Sequence, residues 1–312
     1  MNFILRRIRA SRHINRLGRN LILLSKSFIE KISLRWRVHG IITLKIGGSS
    51  VKYYSEADDP NADSLFYDYN DEASELELFA HLAKRSAVIF DIGANTGLFS
   101  VLSGVKNENS QVYAFEPYST NFKRLEKNIR LNDLKSVNPF KYALGSRDGI
   151  LSFYVPQDSR ISLVASANKE FSDKFTFNNE VSYTEELVDQ RTIDSFVEGN
   201  DITQINLIKI DVESHEIEVL KGGAKAINKF HPLILCEIFL EDDEDRRIFF
   251  EIFVQRNNYF TYWIIDSGIV FTENMIANPS GRSFLFSRKK AVKNYYPIDD
   301  YDSFVKEICE EL

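Results

Sequence analysis

SAVIFDIGANTGLFSVLSG, residues 86–104, decides the fold. Ala87, Val88, Ile89 and Phe90 make an apolar run of strand length, Asp91 stands at its tip, a turn with two glycines follows, and LFSVLSG opens a helix. Strand, turn and helix in that order belong to a parallel α/β sheet, whose ligands bind at the carboxyl edge of the strands. Gly93 and Gly97 let the backbone bend sharply and approach a bound molecule where a side chain would collide. Their spacing narrows the ligand. A dinucleotide fingerprint needs glycines two and five positions after the first. Asn95 holds the first of those places and the next glycine comes four positions on, a poor fit to a nicotinamide cofactor.

Downstream, the strand ends repeat the pattern. QVYAFEP (111–117) is a second strand that ends at Glu116 and Pro117. A carboxylate there can accept hydrogen bonds from two neighbouring ribose hydroxyls. Ser119 or Thr120 is the expected cap of a helix running to about Leu131, with Phe122, Leu125 and Ile129 inward. VNPFKYALG (137–145) reads as a third strand with Ala143 and Leu144 at its end, and GILSFYVP (149–156) as a further strand. LVDQRTIDSFV (187–197) gives a strand and a short helix. INLIKIDVESHEIEVLKGG (205–223) gives strand four, an acidic tip and a helix; Asp211 and Glu213, two apart, share a side while the chain stays extended. HPLILCEIF (231–239) is strand five, ending in Glu237. After a helix from about 245 to 256, YFTYWII (259–265) and RSFLFSRK (282–289) read as an antiparallel pair at the sheet edge.

DIGANTG, AFEP, ALG, IKIDVE and CEI, in this order and at these strand ends, resemble the FkbM family of S-adenosylmethionine-dependent methyltransferases over roughly residues 72–240. The resemblance implies a Rossmann-like, doubly wound α/β sheet of about seven strands, the class I methyltransferase arrangement. It implies S-adenosyl-L-methionine as cofactor, held by Asp91, Gly93, Asn95, Gly97, Glu116, Pro117 and Asp211, with Ala143 and Leu144 bordering the adenine. One position departs from the pattern: Ser214 stands where relatives typically carry glycine. A turn that needs a positive φ there strains a serine and puts the placement of Glu213 and His215 in question.

Methyl transfer from a sulfonium is an in-line displacement, so the protein must align acceptor oxygen, methyl carbon and sulfur. A hydroxyl acceptor also needs a base. The expected catalytic set is Asp211, Glu213, His215 and Glu237. Converging carboxylates repel, so one is protonated, a basic side chain such as Lys209 or Lys221 joins them, or a divalent cation bridges them. Helix capping is the competing structural role for the acids.

Composition sets the outer bounds. A chain of 312 residues with 44% hydrophobic content folds into a packed body, and two cysteines, Cys236 and Cys309, are too few for a disulfide framework. Residues 1–37 carry ten Arg and Lys against one acid, a net +9, which leaves −15 on the remainder of a chain of net charge −6. An acidic body disfavours nucleic acid as substrate. In the basic segment Ile14, Leu17, Leu21, Leu24, Phe28 and Ile32 recur at helical spacing. The apolar run is too short to cross a bilayer. Residues 1–35 are therefore expected to lie on an anionic membrane surface or to pack on the body or a second subunit.

Residues 38–54 read as a β-hairpin turning at Gly47 and Gly48, and 72–84 as a helix leading into the opening strand. The aperiodic stretch 156–187 is placed as an acceptor-binding lid. Four segments result: the basic helix (1–37), hairpin and linker (38–71), methyltransferase domain (72–288) and peripheral tail (289–312). The expected function is O-methylation of a hydroxyl on a sugar, polyketide or related metabolite, in the cytoplasm or at the inner face of a membrane. A small molecule or glycan is the expected acceptor. The alternative is a non-catalytic or cofactor-binding partner, attached to a membrane, in a glycan or lipid pathway.

Overall fold

The structure is a computed structural model that describes residues 38–56, 58–66, 73–156, 166–167, 183–240, 243–275 and 282–309. In chain order the elements are β1 (His39–Ile46), β2 (Ser49–Glu56), α1 (Pro60–Phe66), α2 (Ala73–Arg85), β3 (Val88–Ile92), α3 (Leu98–Lys106), β4 (Gln111–Phe115), α4 (Ser119–Leu131), β5 (Val137–Phe140), β6 (Ala143–Leu144), β7 (Gly149–Pro156) and β8 (Tyr183–Arg191). They continue with α5 (Ile193–Gly199), β9 (Leu207–Ile210), α6 (Glu216–Gly222), α7 (Ala224–Phe230), β10 (Leu233–Glu237), α8 (Glu244–Arg256), β11 (Phe260–Ile265), β12 (Gly268–Thr272), β13 (Ser283–Ser287), β14 (Tyr295–Pro297) and α9 (Tyr301–Cys309).

Strand β3 is buried at all five positions, as a parallel strand covered on both faces must be. It pairs in parallel with β4 on one side and β9 on the other, and β5 and β10 extend the parallel run. Beyond β10 the sheet turns antiparallel, giving the order β14-β12-β11-β13-β10-β9-β3-β4-β5. The strand order reverses beside β3, so the loops after β3 and β9 diverge and leave a crevice at the carboxyl edge.

Nine strands stand where about seven were expected. β11 and β13 pair as anticipated, but β12 and β14 add two more strands beyond them. Alternation distributes side chains to two cores. Ile89, Leu207, Leu233 and Leu235 pack with α2, α3, α4, α9 and the hairpin; Phe90, Ile92, Ile208, Ile210, Ile234 and Cys236 pack with α5 to α8. Phe196 of α5 anchors the second core edge-on to Phe90, Phe115 and Phe140, with centroids 5.5, 4.9 and 5.1 Å away. Its truncation to alanine would cost about 3–5 kcal/mol.

The hairpin has the expected form: β1 and β2 pair antiparallel around Gly47 and Gly48, whose φ values of 55° and 72° suit a two-residue hairpin turn. Its inner face is part of the first core. Three expectations need correction. The stretch after 289 is not peripheral, because Tyr301, Phe304 and Val305 are fully buried and Phe304 meets Tyr262 and Tyr296 at 5.1 Å. A stripe at Tyr301, Phe304, Val305 and Ile308 puts one apolar face of α9 on that core. Neither Ser119 nor Thr120 caps α4; its N-cap is Tyr118, with no side-chain cap bond. The third strand ends at Phe140, and Ala143 and Leu144 belong to a separate three-stranded sheet, β6-β8-β7. β5 is an edge strand carrying Pro139, which ends readily, and the chain then crosses to pair Ala143 with Gln190 and Leu144 with Arg191.

The N-terminal segment 1–37 and most of the expected lid lie outside the described residues. Of the lid, residues 183–187 are already strand β8, and Ser166 bridges to Tyr154 of β7. Among the described residues no helix is long and apolar enough to cross a membrane.

Candidate active site at the carboxyl edge

The turn after β3 uses three residues with positive φ: Gly93 (80°), Asn95 (51°) and Gly97 (93°). Gly93 is required for a second reason. A Cβ there would stand 1.8 Å from the carbonyl oxygen of Asp211, so the glycine turn and the acidic tip of β9 are in contact. The backbone of the turn is tied to the end of β4: Gly93 and Ala94 N–H groups donate to the Phe115 carbonyl at 3.0 and 2.9 Å.

Glu116 completes this connection. Its Oε2 accepts from the Asn95 N–H at 2.9 Å and its Oε1 from the Tyr118 N–H at 2.8 Å. The side chain is 5% exposed, and burial raises its pKa from 4.5 to about 7 against the pull of those two N–H donors. Pro117, buried beside it, ends the strand so that the chain can turn into α4. Two backbone donors leave the carboxylate further lone pairs for ligand hydroxyls.

Asp91 lies on the same sheet face as Ile89 and is directly opposite Lys209 in the register with β9. Its Oδ2 accepts from Ser100 Oγ of α3 at 2.5 Å, while its buried Oδ1 has no hydrogen-bond partner among the described residues. Burial raises its pKa and the Lys209 charge opposes that. A buried acceptor left open next to the turn is a place for a ligand donor.

Lys209 is a cation set among the acids. Its Nζ donates to Asp211 Oδ2 at 2.8 Å and stands 4.1 Å over the Phe99 ring. Burial works against its charge, but Asp211, Asp91 and Glu75 outweigh burial and hold the ammonium on. Glu75 comes from α2, accepts from Ser283 Oγ at 2.6 Å, and is raised by burial. A basic side chain therefore does join the carboxylates. Among the described residues no group of three or more His, Cys, Asp or Glu is disposed to hold a metal ion.

The structure brings Asp211, Glu213 and Glu237 together. Burial, then the Asp211 charge, raises Glu213 to about 8. Glu237 rises well above the usual carboxyl range through burial and the charges of Asp211, Glu213 and Glu75. His215 is set apart: its Nε2 is 3.5 Å from Gln190 Nε2, its pKa is lowered by burial, and the charges acting on it are those of Glu218 and Arg246. Ala143 and Leu144 are buried, and the adjacent Gly145 backs directly onto Gln190 and His215. His215 thus keeps company with the Ala143–Gly145 corner instead of the three acids.

The strain foreseen at Ser214 is present. Glu213 and Ser214 have φ of 51° and 75°. The left-handed pair is held by a device that sequence reasoning missed. Fully buried Glu216 pairs with Arg246 of α8, its Oε1 accepts the Ser214 N–H at 2.9 Å, and Arg246 Nη1 donates to the Ser214 carbonyl at 3.4 Å. From the other side Ser166 Oγ donates to the Glu213 carbonyl at 2.5 Å, which brings one residue of the expected lid to the site. Lys221, the other basic candidate, pairs with Glu218 at the surface instead.

Comparison with known proteins identifies the family. A model of the methyltransferase FkbM domain matches residues 91–262. The chain is 31% identical over 170 residues to the hexuronic acid methyltransferase AglP of Haloferax volcanii, covering 54% of this chain and 63% of that protein. It is 29% identical over 142 residues to Methyltransferase 1 of Beauveria bassiana, covering 43% and 57%. The match thus spans less than two thirds of the length of either relative. Among solved structures, the methyltransferase FkbM from Methylobacillus flagellatus superposes with a TM-score of 0.43 at 16% identity, covering 65% of this chain and 44% of that one.

Proposed function

Because the chain belongs to the methyltransferase FkbM domain family, we propose that it is an S-adenosylmethionine-dependent O-methyltransferase acting on a hydroxyl of a sugar or related metabolite. The observation that carries the reading is the contact between two half-sites. The glycine turn and Glu116 form one, the acidic tips of β9 and β10 the other, and Gly93 touches Asp211 where they meet.

Asp91, with its open buried oxygen, Glu116 and the turn would hold the cofactor. When bound, the cofactor supplies a methyl group activated on sulfur. The remaining steps fall to the protein. Lys209 fixes Asp211, and Glu213 or Glu237 takes the proton of the acceptor hydroxyl as its oxygen attacks. A carboxylate whose proton affinity is raised by burial is better matched to that task than an ordinary one. A saccharide acceptor is favoured within the class by the relative named as a hexuronic acid methyltransferase. The basic segment 1–35 serves as an attachment to anionic membrane in this reading; its deletion should abolish binding to anionic vesicles, and unchanged binding would remove that role.

The test is product analysis. Full-length protein, the methyl donor and a panel of hexuronic acid, neutral sugar and polyketide acceptors should yield one methylated product with stoichiometric S-adenosylhomocysteine. Cofactor binding without turnover on any hydroxyl acceptor would leave a binding partner in place of an enzyme.

A further inference from the structure

The glycine turn is gripped in part by residues that precede the stretch matched by the family model. Thr96 lies between Asn95 and Gly97, the two residues whose positive φ shapes the second half of the turn. It is 4% exposed, and its side-chain partners come from the hairpin and from Asp59, just before α1. Tyr53 of β2, fully buried, donates its hydroxyl proton to Asp59 Oδ2 at 2.9 Å and can accept that of Thr96 Oγ1. The single Thr96 hydroxyl proton has the same Asp59 oxygen, at 3.3 Å, as its other acceptor. Asp59 is held in turn by the start of α1, where its Oδ1 accepts from the Ala62 N–H at 2.9 Å.

The main chain of Thr96 is fixed by the same seam. Its carbonyl accepts from Asn128 Nδ2 of α4 at 2.8 Å, and Asn128 Oδ1 accepts from the Tyr54 N–H at 2.7 Å. One helical turn further on, at the C-cap of α4, Asn132 spans the Lys52 N–H and carbonyl at 2.9 and 2.7 Å without touching the glycine turn. Tyr53 and Asp59 both precede residue 91, where the family match begins.

We propose that the hairpin is a working part of the cofactor site: Tyr53 and Asp59 act as positioning residues that hold Thr96, and through it the Asn95–Gly97 backbone, in the shape that receives the ligand. A bare βα turn with three left-handed residues has alternatives to sample, and a buried hydroxyl–carboxylate triangle removes them before the ligand arrives. The inference rests on the cofactor reading for its binding arm but not for its structural arm.

Hydrogen exchange and calorimetry on the full chain test it, with Tyr53→Phe and Thr96→Val as perturbations, Thr96→Ser as the conservative rescue and Asn132→Ala as a control on the same seam. Tyr53→Phe and Thr96→Val should each speed amide exchange in residues 93–97 of the ligand-free protein by about tenfold and weaken S-adenosylhomocysteine binding by a similar factor, the size expected for one buried hydrogen bond. Thr96→Ser should restore both, and Asn132→Ala should change neither even if it lowers the melting temperature as much. Unchanged exchange in Tyr53→Phe, or equal effects from Asn132→Ala, would overturn the positioning role. Failure of the unmodified chain to bind S-adenosylhomocysteine, with the exchange effects present, would overturn the cofactor reading and leave the grip on the turn standing.

Discussion

Replacing Glu116 with glutamine separates the burial of this carboxyl from its hydrogen bonds. In the folded protein burial carries its pKa from 4.5 to about 7, so the native state keeps the proton after the unfolded chain has lost it. The contribution of Glu116 to stability is therefore fully present below pH 4.5. It falls as pH rises through the interval to 7 and is constant above that. At about 1.4 kcal/mol for each pH unit of displacement, the loss totals about 3.5 kcal/mol, of which about 2.5 kcal/mol falls between pH 5 and pH 8. Glu116→Gln has no such charge to desolvate. It does turn an amide NH2 toward one of two N–H donors, Asn95 or Tyr118, and gives up about 1 kcal/mol at every pH. Urea denaturation of ligand-free protein and variant at pH 5 and pH 8 measures the difference directly. The variant should be the weaker at pH 5 and should gain about 2.5 kcal/mol on the wild type by pH 8. A difference that stays constant within about 0.5 kcal/mol across that range would show that Glu116 is not desolvated, and would refute the account of its surroundings.

Two further outcomes follow from the β9 tip. Among the described residues Ser214 forms its hydrogen bonds through its backbone, so Ser214→Gly keeps them, relieves the left-handed strain and should stabilise the fold by about 0.5–1 kcal/mol, as a rise in melting temperature. Of the two proposed bases, Glu213 would have to be ionised to accept a proton, so with its pKa raised to about 8 the rate should climb through pH 8; Glu213→Gln should remove that limb and about 100-fold or more of kcat, and a flat profile in wild type would assign the base to Glu237 or elsewhere.

Much of this was legible because buried parallel strands write themselves as short apolar runs, and the residue at the end of each run is where the sheet delivers a side chain to the crevice. Asp91, Glu116, Asp211 and Glu237 were all placed that way. So was the discomfort at Ser214, since a glycine missing from a pattern points to a conformation rather than a contact. What escaped was long-range. Arg246 lies 30 residues from Glu216 on a helix where it reads as one more surface charge. Glu75 reads as a solvent-facing acid of α2 until Lys209 and Ser283 are brought to it. Tyr53 and Asp59 pair with Thr96 across some forty residues, and no local period signals that a hairpin will be clamped to a turn. Even the separation of His215 from the three acids depends on a turn with two left-handed residues in succession, which spacing along the chain does not reveal.

The central claim is that the glycine turn and Glu116 form a cofactor site for a methyl donor. Isothermal titration of the full chain with S-adenosylhomocysteine at pH 8 tests it most directly. One saturable site, weakened in Glu116→Gln, is the predicted result; no binding heat at high ligand concentration, with the fold intact, would contradict it.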